Sequence, residues 1–424
     1  MRRRAPFTAL LSAYAVSVAG TSMSAIAVPW LVLTATGSAA STGVVTFAEM
    51  APYVAAQALA GPLVDRLGLR RCVSLGNVAA AVTVGAIPAM SATGSLSLPV
   101  LAALVAVAGA IRGGADCANT ALVPATATLG GIALERAAGL NSAANRSALL
   151  LGAPLAGALI TVTDPALVVA IDAATFAAAA VVTAIWVRVP AAAPTTAAGG
   201  SAVRRYVRDL ADGLRFLRGD RLLLGIITMV AVSNLLDQGL SAVMLPVWVR
   251  DTVGTPAALG VVAAVGGLGS VAGNLIGAWL GPRLSRRALY SVGYLVGGSP
   301  RFVGFALLAS LTPVLVVTGV TEVFAGSLNT VISATAFERI PADLRARVLG
   351  TVRASAWLGI PLGALVAGCT VQAVGVRDAL LGFGAVYLVT TLAPFVFPAW
   401  RQMRRPASVP VDATDVAVTQ ASAS

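Results

Sequence analysis

The stretch Gly61-Pro-Leu-Val-Asp-Arg-Leu-Gly-Leu-Arg-Arg71 decides how the rest of this chain is read. It is a short charged connector between two long apolar runs, in the pattern G-x-L-x-D-R-x-G-x-R-R. Glycines permit a tight turn and a close approach of the flanking segments. Asp65 can accept hydrogen bonds from a helix N-terminus. Arg66, Arg70 and Arg71 hold the connector on the cytoplasmic side of a membrane. Gly61, Asp65, Arg66, Gly68, Arg70 and Arg71 therefore form the first candidate functional set, at the inner surface.

Composition agrees with a membrane protein. Apolar residue types make up 58% of the 424 residues and charged ones 11%, with mean hydropathy +0.88. A soluble chain averages about 25% charged residues. The net charge of +12 invites a nucleic-acid reading, but the arginines sit at the ends of apolar runs rather than on one face, which excludes it. All 29 basic residues are arginine, and histidine is absent. Imidazole metal ligands and Ser-His-Asp catalysis are thereby excluded. Cys72, Cys117 and Cys369 have no metal-ligand spacing and read as small buried residues, so no metal or cofactor is expected. No Gly-x-x-x-x-Gly-Lys loop or nucleophile elbow is present, which argues against an in-chain ATP motor and against an enzyme. The first apolar run continues past Pro29 and is too long for a signal-peptide core. The arginine-only, alanine-rich composition points to a GC-rich bacterial genome and hence a bacterial plasma membrane.

A membrane span needs about 20 apolar residues. Such runs lie near 11–33, 41–60, 72–92, 98–124, 137–162 and 165–187, and again near 222–249, 256–280, 288–309, 313–337, 347–373 and 379–400. Alternation of polar and apolar residues, the mark of a membrane barrel, is missing. The predicted fold is all-α with twelve spans. Arginines crowd the N-terminus, the even-to-odd connectors, the central connector and the C-terminus, while the opposite connectors hold only Arg250 and Arg377, each beside an aspartate. By the positive-inside rule both termini are cytoplasmic. The organisation is a six-span bundle over 1–190, a linker over 191–220, a second bundle over 221–400 and a disordered tail over 401–424. Within the linker, residues 191–202 are uncharged and low in complexity, so they read as disordered. Val203, Tyr206, Val207, Leu210, Leu214 and Leu217 then recur at helical spacing, which predicts an amphipathic helix at the cytoplasmic membrane surface. It either links the two halves or docks a partner.

The halves repeat. Val28-Pro29-Trp30 aligns with Leu245-Pro246-Val247, Arg70-Arg71 with Arg286-Arg287, and Asn119-Thr120 with Asn329-Thr330. Arg146, Gly152 and Pro154 align with Arg353, Gly359 and Pro361. Two six-span units in parallel arrangement are one of the repeat designs of membrane transporters. The repeat fails at Asp65, which falls opposite Gly281, so a cytoplasmic lock would be asymmetric. Asp65 is expected to meet the start of the eleventh span, near Arg347 or Arg353, when that lock is closed.

Ionisable residues inside a span cost several kcal/mol and need a reason. Arg112 and Asp116 lie four residues apart on one face of the fourth span. Asp237 lies in the seventh, beside Asn234 and Gln238, and Glu322 in the tenth. Glu49, Asp172 and Arg301 lie in the second, sixth and ninth. Arg112 and Asp116 form either a static pair or a proton switch, in which an acid alternately meets water and the guanidinium.

The opening connector resembles the signature loop between the second and third helices of the major facilitator superfamily, the secondary transporters with twelve helices. Further stretches resemble its drug:proton antiporters related to macrolide-efflux and enterobactin-export proteins: TATGSAASTGVVTFAEMAPYVAAQALAGPLVDR, ALVPATATLGGIALERAAGLNSAANRSALLLGAPLAG with its trailing IDAATF, and DGLRFLRGDRLLL. The resemblance implies that the first, fourth, seventh and tenth helices line a central cavity. Arg112, Asp116, Asp237 and Glu322 would then face the substrate path as proton-coupling residues. Glu49, Asp172 and Arg301 would be structural, since the third, sixth, ninth and twelfth helices are peripheral in that fold. Gly152-Ala-Pro-Leu-Ala-Gly157 is similar to the superfamily's antiporter element, with Ala153 inserted between Gly152 and Pro154. Small residues packing two halves together would read the same way. The expected function is proton-coupled efflux of a drug-like or amphipathic molecule, with a small-molecule substrate, protons and the lipid bilayer as partners and neither nucleic acid nor ATP. The alternative is proton-coupled uptake of a sugar or metabolite, which the 5% aromatic content disfavours. A membrane enzyme or sensor would need a catalytic or output element that the chain lacks.

Overall fold

The computed structural model describes residues 4–187, 202–281, 283–340 and 345–403. The N-terminal half holds α1 (Ala5–Thr36), α2 (Ala39–Leu59), α3 (Gly61–Leu67), α4 (Leu69–Ala92), α5 (Leu98–Leu129), α6 (Leu134–Val162) and α7 (Pro165–Trp186). After α8 (Ala202–Gly219) come α9 (Arg221–Gly239), a π turn (Leu240–Met244), α10 (Leu245–Thr252), α11 (Ala257–Leu280), α12 (Arg286–Gly297) and α13 (Ser299–Leu307). The chain then forms α14 (Leu311–Arg339), α15 (Arg345–Val374), α16 (Val376–Thr391) and α17 (Ala393–Val396).

Ten helical segments among the described residues are long and apolar enough to cross a membrane, with α9, the π turn and α10 counted as one. The second expected span, α2, is diluted by Ser41, Thr42, Thr46, Glu49, Tyr53 and Gln57. The ninth, expected as one run over 288–309, is broken between α12 and α13 at Gly298. The seventh, expected over 222–249, runs from Arg221 to Thr252 through the π turn. Pro246 lacks the N–H that would close a helical bond onto Ala242, which accounts for the irregular turn before it.

Helix ends follow local chemistry. The Ser38 hydroxyl accepts from the Ser41 N–H at 3.1 Å, and Asp164 from the Ala166 N–H at 2.6 Å. Each side chain satisfies a donor that a helix start leaves free.

Helix pairing repeats between halves. Both α2 with α5 and α11 with α14 are joined by glycines. A Cβ on Gly109 would lie 2.1 Å from the Glu49 carbonyl oxygen, and one on Gly273 2.0 Å from that of Val323. The aligned pair Gly152 and Gly359 occupies equivalent places, against the carbonyls of Ala19 on α1 and Ala231 on α9, each 2.5 Å from a built Cβ. The halves meet along α2 with α15 and α6 with α11. The tightest approaches lie toward the end remote from the termini, where Gly43 meets Ala364 and Gly368, and Gly157 meets Gly260. At that same end Ser38 Oγ donates to Gln372 Oε1 at 3.2 Å.

One connector expectation is corrected. The signature stretch is not a loop: residues 61–67 form α3, and only Gly68, at φ +82°, uses glycine's freedom, while Gly61 has open space around it. Arg70 closes this corner by donating to the Ala184 carbonyl at 2.5 Å, at the C-terminal end of α7. In the second half Arg287 donates to Pro394 O at 2.8 Å, while the aligned Arg286 pairs with Glu338. At the end of the linker helix α8, Leu217 is buried with Leu223, Ile227, Ile340 and Val348. Residues 191–201 and 404–424, expected to be disordered, lie outside the described residues. The side chains of Asp65, Arg347 and Arg353 do so too, and with them the expected gate contact.

Candidate functional site

Each half encloses one arginine surrounded by acids. In the N-terminal half α2 and α5 run parallel, so the same separation of 63 residues joins two pairs along them. Arg112 Nη1 donates to Glu49 Oε1 at 2.8 Å, and one turn later the Tyr53 hydroxyl donates to Asp116 Oδ2 at 2.9 Å. Gln57 Nε2 donates to that hydroxyl at 3.2 Å, one further turn along α2. The Arg112 guanidinium also lies over the rings of Tyr53 and Phe176, at 5.7 and 6.0 Å. Asp172 on α7 lies within electrostatic reach of Arg112, with only 1% of its surface exposed, and accepts from Ser24 Oγ on α1 at 2.6 Å.

In the C-terminal half the acceptors come from different helices. Arg301 donates through Nη1 to Glu322 Oε1 on α14 at 2.5 Å and through Nη2 to Asp237 on α9. The run Gly297-Gly298-Ser299-Pro300 makes this possible. Gly298 ends α12, Pro300 suits the first turn of α13, and Arg301 follows it into the interior. A Cβ on Gly298 would lie 1.9 Å from the Tyr387 ring, so only glycine fits there. The Asp237 side chain keeps 38% exposure, against 12% for Arg301 and 21% for Glu322. Asp237 is therefore the open member of the triad.

The clusters are linked across the seam. The Tyr53 ring stacks on Trp357 of α15, with centroids 6.4 Å apart and planes 17° off parallel. Asn234 Nδ2, one turn before Asp237, donates to Ala356 O on α15 at 2.9 Å.

Among the expected residues, Arg112 and Asp116 share a cluster, but the arginine's bonded acid is Glu49. Asp237 and Glu322 share the other, joined by Arg301. Two residues expected to be structural, Glu49 and Arg301, thus hold the direct bonds to the expected ones. The sequence carried signals for both. Glu49 and Tyr53 have the same four-residue spacing as Arg112 and Asp116, and a Gly-Gly-Ser-Pro run marks a helix break just before Arg301. Pro154 and Gly157 lie at the seam against Gly260. Arg146 is exposed on α6, Pro361 lies within α15, and Arg66 and Arg71 are exposed. No group of three or more acidic or cysteine side chains suited to a metal ion occurs among the described residues.

Comparison with known proteins fits these features. The family model of the Major Facilitator Superfamily matches residues 10–236 and again 227–421. The multidrug efflux pump Tap of Mycobacterium tuberculosis (strain ATCC 25618 / H37Rv) is 28% identical over 406 residues, covering 94% of this chain and 95% of that one. The crystal structure of the nucleoside transporter NupG superposes with TM-score 0.75 at 14% identity, over 92% of this chain and 99% of that one. A bacterial homologue of the human lysosomal transporter Spinster, in an inward-facing, unoccupied conformation, superposes with TM-score 0.72 at 14% identity, over 96% and 99%.

Proposed function

The chain belongs to the major facilitator superfamily and is a multi-pass transporter of the cell membrane, and from this premise we propose that it exports drug-like, amphipathic molecules in exchange for protons. Efflux is supported by similarity to a multidrug efflux pump along nearly the whole chain. Proton coupling rests on one observation. The two interior clusters hold five carboxyl groups, Glu49, Asp116, Asp172, Asp237 and Glu322, against two guanidinium groups. Uncompensated charge inside a span is expensive, so the surplus negative charge is neutralised by protons. Each proton that enters down a 100 mV potential supplies about 2.3 kcal/mol to the exchange.

In this reading α2 and the α12–α13 pair complete twelve spans, and the arginine-rich end faces the cytoplasm. The halves are then closed at the outer end by Gly43–Gly368 and Gly157–Gly260, and the crevice between them opens inward. Asp237 offers a negative charge to a cationic solute, and Asp116 and Glu322 are the coupling acids. Asp65, Arg347 and Arg353 would lock the inner end in the opposite state. An efflux-deficient bacterium expressing the chain, beside Asp116→Asn and Glu322→Gln at equal membrane levels, tests the reading. Raised tolerance to macrolides and cationic dyes, lost in either variant, is the expected result. Tolerance unchanged by the wild-type chain across the panel would overturn efflux, and tolerance kept in both variants would move coupling to other acids.

A further inference from the structure

A cavity of about 50 Å³ with a mixed polar and apolar lining lies inside the N-terminal half, between α1, α4, α5 and α7. It is separate from the seam between the halves, since every residue that lines it belongs to the first half. Ser17, Asn77, Asn119 and Thr183 face it, and Arg112 and Asp116 form part of its wall. Asn77, Asn119 and Thr183 are buried, and the Thr183 hydroxyl has no hydrogen-bond partner among the described residues. Buried polar groups are satisfied by protein or by ordered water, and a water occupies at least about 10–15 Å³ of such a space. The cavity thus has room for a short file of waters, and Thr183 supplies a group that needs one.

We infer that this internal cavity is a water-filled proton route from Asp116, distinct from the substrate crevice. The inference rests on the proton-exchange reading and adds a path to it. Asp116 stands between two environments. Asp116 lines the cavity, and its Oδ2 accepts the hydroxyl of Tyr53, whose ring stacks on Trp357 of the opposite half. The lining residues lie toward the cytoplasmic ends of α1, α4 and α7, so a proton leaves Asp116 through the waters and restores the charge that Tyr53 bonds to. The change is felt at the seam, where the halves must move. The other charged and titratable groups around Asp116 are Arg112 on its own helix, Glu49 and Tyr53 on α2, Tyr14 on α1 and Asp172 on α7. Glu49 is bonded to Arg112 and Asp172 to Ser24, so among these carboxylates Asp116 is the one that lines the cavity.

Two measurements on the purified full-length chain test this. Hydroxyl-radical labelling by X-ray radiolysis marks side chains that touch ordered water. Phe176, buried but lining the cavity, is expected to label, whereas Phe302, equally buried in the other half, is not. In proteoliposomes with a pH dye inside, an ethidium gradient is expected to drive proton movement in the wild type. Asn119→Leu fills the cavity with apolar volume, and Thr183→Val removes the unpartnered hydroxyl with little change in shape. Both are expected to bind ethidium as the wild type does, and Asn119→Leu to lose both the Phe176 label and the proton movement. A wild-type Phe176 that stays unlabelled overturns the water route. So does an Asn119→Leu protein that loses the label but keeps proton movement. If that variant does not fold, undiminished labelling and proton movement in Thr183→Val count against the route. Ethidium movement without protons in the wild type removes the coupling reading itself, and the proton role of the cavity with it.

Discussion

Arg112 and Arg301 do the same job in the two halves by different geometry. Arg301 spans two carboxylates on separate helices, so it fixes α9, α13 and α14 to one another. Arg112 is bonded to one carboxylate, and the neighbouring Asp116 is held by the neutral hydroxyl of Tyr53 instead. A neutral donor stabilises a carboxylate less than a guanidinium does. The C-terminal cluster is therefore the more fully paired of the two, although Asp237 keeps one side open. The N-terminal one leaves an acid whose charge is weakly matched, next to the internal cavity and one stacking contact from the other half. The two arginines stand on spans that the repeat does not equate, the fourth and the ninth, and the Asn119–Asn329 register puts Glu322 opposite Arg112.

The most severe way to break this comparison is Arg301→Met. It strands Asp237 and Glu322 inside the bundle and removes two ion pairs. Breaking a buried pair costs about 3–5 kcal/mol, and the partial exposure of Asp237 places the loss near the lower limit, about 3 kcal/mol. Arg112→Met removes one pair and is expected to cost less, about 2 kcal/mol. Unfolding of the detergent-solubilised proteins measures both. An equal or larger loss for Arg112→Met would mean that the two clusters do not differ as their geometry implies.

Tyr53→Phe sharpens the N-terminal side. It deletes the hydroxyl that Asp116 accepts while leaving the ring to stack on Trp357. A hydrogen bond to a charged group contributes about 1.5–3 kcal/mol. Because Asp116 borders the cavity and can turn to water, the expected loss is smaller, about 1 kcal/mol, with a clear defect in proton-driven transport. Wild-type transport in Tyr53→Phe would show that the hydroxyl only fills space.

The membrane class and most helix limits were legible in the chain, because each rests on local hydropathy. The Gly152–Gly359 correspondence was legible as well, since close helix approach leaves a glycine at a fixed register. What the sequence did not display were contacts between helices distant in the chain. Glu322 has no charged neighbour on its own helix, yet Arg301, 21 residues away, meets it through a helix break. Arg112 and Asp116 looked like a pair because spacing reports only one helix, and the parallel run of α2 supplied each with a different partner. Assigning Glu49 and Arg301 to structure alone relied on which helices line a cavity in related folds, a rule that is blind to long side chains reaching inward.

The smallest expected effect comes from an ion pair at the water-facing end, which calibrates the two interior ones. Asp220 caps α9 by accepting from the Leu222 and Leu223 N–H groups at 3.0 and 3.1 Å, and from Arg339 Nε at 2.8 Å. Burial by itself would raise its carboxyl, but the bond from Arg339 and those from the helix start outweigh this and hold it below the ordinary carboxylate range. A depressed folded-state value stabilises the protein above the unfolded value, about 4 for aspartate. That stability is lost as pH falls through the folded value. Asp220→Asn keeps the cap, since asparagine serves equally well there, and removes only the charge. The expected cost is about 0.5 kcal/mol at neutral pH, as for partly exposed pairs. It should vanish when unfolding is measured below the pH at which Asp220 protonates, so the wild-type and variant curves converge in acid. Curves that stay parallel down to that pH would show that the carboxylate charge contributes nothing. The interior losses would then have to be credited to burial geometry rather than to charge.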